Sequence, residues 1–77
     1  MDRIHKFIRK LSADEARRAL EAITLVREGR LNTLDVRKLK GRENEYRVRI
    51  GSIRIQFVKK ETYNHITDIE FRGDHTY

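Results

Sequence analysis

The 77-residue chain predicts a single α+β domain, residues 1–77, in which an N-terminal helical hairpin packs on a small antiparallel sheet of three strands. Three observations lead there. Apolar residues recur at helical spacing through the first third of the chain. From Tyr46 to Phe57 the pattern switches to strict alternation, which is the period of a half-buried strand. Gly51 and Ser52 interrupt that alternation where a two-residue hairpin turn belongs.

Ile4, Phe7, Ile8 and Leu11 fall at i, i+3, i+4 and i+7, so residues 2–11 form a short helix with one buried stripe. Ser12 followed by Glu15 is a capping-box pattern that closes one helix and opens the next. Ala16, Ala19, Leu20, Ile23 and Val26 give this second helix its apolar face, and Gly29 is placed to stop it. From Arg30 to Gly41 the pattern is irregular, and Leu34, Val36 and Leu39 predict a segment laid over the core. The third strand follows a turn at residues 61–64, with Thr67, Ile69 and Phe71 on one side and Ile66, Asp68 and Glu70 on the other. Residues 72–77 read as a polar tail.

Composition narrows the function classes. The chain has no cysteine, which removes disulfides and thiolate metal sites and agrees with a cytoplasmic location. No apolar run approaches membrane-spanning length, so no membrane partner is expected. A formal net charge of +6 on so small a domain points to nucleic acid or an acidic protein as partner.

Folding the segment about Gly51 and Ser52 sets Ile50 opposite Ile53, Val48 opposite Ile55 and Tyr46 opposite Phe57, which makes one side of the hairpin wholly apolar. The other side sets Arg49 opposite Arg54 and Arg47 opposite Gln56. Like charges directly across a sheet destabilise it, so this face is expected to hold an anion. Guanidinium suits phosphate because its paired donors lie in a plane and stay charged near neutral pH. The plainer alternative is a solvated face that keeps the domain soluble.

Two helices, then strands carrying Leu39-Lys40-Gly41, Tyr46-Arg47-Val48-Arg49-Ile50-Gly51, Arg54 and Phe57, then Arg72 and Tyr77 with four residues between them: this order resembles the RelE/ParE superfamily of toxins from type II toxin-antitoxin systems. The likeness is strongest from Val36 to Tyr77. It implies a ribosome-dependent endoribonuclease (an mRNA interferase) that inhibits translation at the ribosomal A site and is neutralised by a cognate antitoxin protein. The alternative is a ParE-like or non-catalytic member that binds DNA gyrase or nucleic acid through the same face. By the resemblance, Arg47 and Arg49 with Lys40 are RNA-binding, and Arg54, Arg72 and Tyr77 are catalytic. Family members begin with a strand before the first helix, which this chain lacks, hence the expectation of three strands.

RNA cleavage of this kind is metal-independent, because the 2′-hydroxyl attacks the adjacent phosphorus and the protein supplies alignment, charge stabilisation and proton transfer. No cofactor is implied. Arg54 and Arg72 are the candidates for charge stabilisation, and Tyr77 or His75 for moving the proton. His5, His65 and His75 form no ligand spacing, so no metal site is expected. Asp68 and Glu70 are expected to face solvent or pair with the arginines and not to act as an acid dyad.

Overall fold

The computed structural model describes residues 3–41 and 43–71. Helix α1 spans Arg3–Arg9 and α2 spans Ala13–Arg27; four strands follow, β1 Asp35–Lys38, β2 Glu45–Ile50, β3 Ile53–Lys59 and β4 Asn64–Phe71. The strands form one open antiparallel sheet in the order β1-β2-β3-β4. Both helices pack on one face of it, and among the described residues the other face carries no helix.

The sheet therefore has four strands, not three. The segment read as irregular cover contains β1, which pairs along β2 with Val36 opposite Val48 and Arg37 opposite Arg47. A four-residue edge strand that turns a single apolar side chain inward shows no alternation to read, and its apolar neighbours Leu34 and Leu39 lie outside it.

Helix α2 begins on the capping box that its sequence encodes. The Ser12 hydroxyl accepts from the Glu15 amide at 3.2 Å, and the Glu15 carboxylate accepts from the Ser12 amide at 3.2 Å. It ends in a Schellman turn: the Gly29 amide donates to the Val26 carbonyl and the Arg30 amide to that of Leu25, with Gly29 at φ 75°. Its buried stripe is Ala19, Ala22, Ile23 and Val26. Leu20, expected on that stripe, is 49 % exposed, because the i, i+3, i+4, i+7 set in contact with the sheet starts at Ala19. On the outer side, Arg17 donates to Asp14 at 2.8 Å, and this bond together with the nearby charge of Glu21 raises the Arg17 pKa.

The core joins that stripe to Val48, Ile53, Ile55, Phe57, Ile66 and Ile69. The hairpin register is the one the alternation dictates, from Tyr46 opposite Phe57 to Ile50 opposite Ile53. The Tyr46 and Phe57 rings stack with centroids 5.4 Å apart. In β4 the expected alternation fails. Ile66 and Ile69 are both buried, because the register shifts between Phe57 opposite Ile66 and Gln56 opposite Asp68. The bulge reverses which residues face the core on the amino-terminal half of the strand, putting Ile66 inside and Thr67 outside. Thr67 donates through its hydroxyl to the Gln56 carbonyl at 3.3 Å, and Asp68 accepts from the Ile69 amide at 2.8 Å, so the bulge is held by side chains.

Among the described residues, one polar side chain enters the core. Asn64, at the start of β4, donates through Nδ2 to the Val26 carbonyl at 2.8 Å and ties the β3–β4 hairpin to the end of α2. Among the described residues, no helix is long and apolar enough to cross a membrane.

Candidate functional site

The helix-free face of the sheet is built by the residues that alternate with the core. Because β1 to β4 run as a meander, one rung across the sheet reads Asp35, Arg49, Arg54 and Glu70, and the next reads Arg37, Arg47, Gln56 and Asp68. The two rungs bring Arg47, Arg49 and Arg54 together on adjacent strands, as the sequence predicts. They also add Arg37, which the sequence reading did not single out.

The charge on this face is more balanced than the hairpin alone implied. In the first rung two carboxylates flank two guanidiniums. Glu70 accepts from Arg54 Nη2 at 2.8 Å and Nε at 3.1 Å, and from Gln56 Nε2 at 3.4 Å. The Arg54 and Glu70 side chains are 28 % and 33 % exposed, so the pair is only partly screened by water. Asp35 lies 3.7 Å from Arg49 Nε and 3.6 Å from Arg37 Nε, one carboxylate shared between two cations. The like-charge pairing of Arg49 with Arg54 is thus relieved from both sides. Among the described residues, four guanidiniums still face two carboxylates, since Asp68 pairs with Arg3 at 3.1 Å.

The surplus is concentrated at Arg47. Among the described arginines, Arg47 and Arg27 are the two that no ion pair or hydrogen bond engages. The Nε atoms of Arg47 and Arg49 are buried and have no acceptor within hydrogen-bonding distance. A buried charged donor left without an acceptor is costly, and a phosphate bound at the outer nitrogens of these guanidiniums would offset part of that charge. The arrangement suits a phosphodiester between β2 and β3, with Arg47 unpaired, Arg49 held by Asp35 only at 3.7 Å, and Arg54 becoming available when Glu70 is displaced.

The other candidates are placed differently. Lys40 is exposed in the turn between β1 and β2, at the end of the sheet away from Arg49 and Arg54, and is not brought into the cluster. Arg72, His75 and Tyr77 lie outside the described residues. His5 and His65 sit on α1 and β4, and the described residues contain no cluster of three His, Asp or Glu side chains able to hold a metal ion. Asp35 and Arg37 were missed because they belong to the strand that was not recognised. Glu70 is paired with an arginine, one of the two roles expected of it.

No family model, curated protein or solved structure matches this chain.

Proposed function

We propose that the domain is a RelE-like toxin of a type II toxin-antitoxin system that cleaves mRNA on the ribosome. The observation that carries this reading is the arginine cluster on the helix-free face, with one guanidinium unpaired and two buried Nε donors lacking acceptors. The order of a helix pair followed by an antiparallel meander supports it. In this reading Arg47 and Arg49 grip the phosphates and Arg54 neutralises the charge that builds on the non-bridging phosphate oxygens as the 2′-hydroxyl attacks, leaving a 2′,3′-cyclic phosphate and a 5′-hydroxyl. Arg72 joins Arg54 in this work, and Tyr77 or His75 moves the proton. A cognate antitoxin neutralises the toxin by covering this face or the helices, and the protein works in the cytoplasm.

One observation favours a second reading. Arg54 is already held by Glu70 at two donor atoms, so a protein that only binds nucleic acid or gyrase would use Arg47 and Arg49 and leave Arg54 structural. Replacing Arg54 by Ala separates the two. Loss of mRNA cleavage with RNA binding retained identifies the ribonuclease; toxicity and binding both unchanged identify the binder.

A further inference from the structure

A second basic site lies away from the arginine face. The start of α1, the end of α2 and the start of β4 enclose a cleft of about 550 Å³ lined by Arg3, Ile4, Arg27, Tyr63, His65 and Ile66, among others. A volume of this size lies in the range of about 300–1,000 Å³ common for small-molecule sites. Tyr63, on the β3–β4 turn, leaves 54 % of its surface exposed at the mouth. Ile4 and Ile66 supply apolar lining, and Arg27 and His65 supply donors.

Two features argue for a formed site over a chance hollow. The first is Arg27 itself. Arg17, Arg18 and Arg30, its neighbours along the same stretch of chain, each pair with a carboxylate, whereas Arg27 pairs with none among the described residues. Its position in the last turn of α2 accounts for a cation there but leaves its donors unused. The second is rigidity. Asn64 fastens the β3–β4 hairpin to the Val26 carbonyl, and the Lys60 amide donates to the Tyr63 carbonyl across the turn, so Tyr63 and Arg27 are held on either side of one bond.

An exposed aromatic ring, an apolar wall and an unpaired guanidinium match a ligand that is flat at one end and anionic at the other. We propose that the cleft binds one nucleotide of a single-stranded nucleic acid, the base stacking on Tyr63 and the phosphate paired with Arg27. The site is distinct from the sheet face and does not depend on its role in cleavage. It gives the domain a second hold on a strand, for which the excess positive charge provides long-range attraction.

The test is a titration of the full chain with adenosine 5′-monophosphate, adenosine and inorganic phosphate, followed by backbone amide shifts in nuclear magnetic resonance spectra. Adenosine monophosphate is expected to move the signals of Arg27 and of residues 63–67 while leaving those of Arg47, Arg49 and Arg54 less affected. Tyr63→Ala weakens that binding at least about fivefold and Tyr63→Phe restores it. Arg27→Gln removes the preference for the monophosphate over adenosine. The proposal is overturned if millimolar nucleotide moves no signal in the cleft, if shifts are confined to the sheet arginines, if Tyr63→Ala titrates like the unaltered chain, or if inorganic phosphate binds as well as the nucleotide.

Discussion

Glu70 and Asn64 are the two residues whose surroundings make the sharpest demands. Glu70 occupies Arg54 with the geometry a phosphate would use, so it acts as a built-in competitor for any anion on the helix-free face. Glu70→Gln keeps the shape, removes the charge and should raise the affinity for a short oligoribonucleotide roughly fivefold, equivalent to ~1 kcal/mol, as read by fluorescence anisotropy. Unchanged or weaker affinity would mean that Arg54 takes no part in binding. Asn64 works on stability instead. Its amide shares the Val26 carbonyl with the Gly29 amide, and Asn64→Ala removes the side-chain bond that ties β4 to the end of α2 while the carbonyl keeps its backbone donor. The expected loss is about 0.5–1.5 kcal/mol in urea unfolding, and a loss near zero would show that the amide contributes nothing there.

Among the elements, α2 and the β2–β3 hairpin were legible in the sequence for local physical reasons. Ser12 and Glu15 fix the start of α2 by bonds between near neighbours, and Gly51, at φ 56°, permits the turn that sets the register. Ser12→Ala should lower stability by ~1 kcal/mol, and Gly51→Ala by a similar amount, because the new side chain would sit in left-handed backbone. Both are checked by thermal or urea unfolding. Two other elements were not legible. Strand β1 is an edge of four residues whose identity comes from pairing with β2, through contacts eight to fourteen residues away that no pattern within β1 announces. In β4 the bulge shifts the face on which Ile66 lies, and the residues that stabilise it, Thr67 and Asp68, are ordinary strand-face residues in sequence. The site followed the same division. The three arginines of the hairpin were placed by alternation, while the acids that balance them, Asp35 and Glu70, arrive from the flanking strands.

At the scale of the molecule, an apolar interior is set apart from two arginines that, among the described residues, have no ion-pair partner, Arg47 on the sheet and Arg27 in the cleft. Binding of a single-stranded RNA should weaken steeply with added salt, and removing one arginine that contacts a phosphate should reduce the slope of log K against log salt by about 0.7. Arg47→Ala is predicted to show that change; a slope equal to that of the unaltered chain would place the phosphate elsewhere. The central claim, that the arginine face cleaves mRNA, is tested most directly by primer extension on mRNA from a translating cell-free extract, comparing the protein with its Arg54→Ala variant after circular dichroism has verified that both are folded. New 5′ ends within the reading frame that appear with the protein and disappear with Arg54→Ala are the predicted result. Intact mRNA in the presence of the folded protein would contradict it.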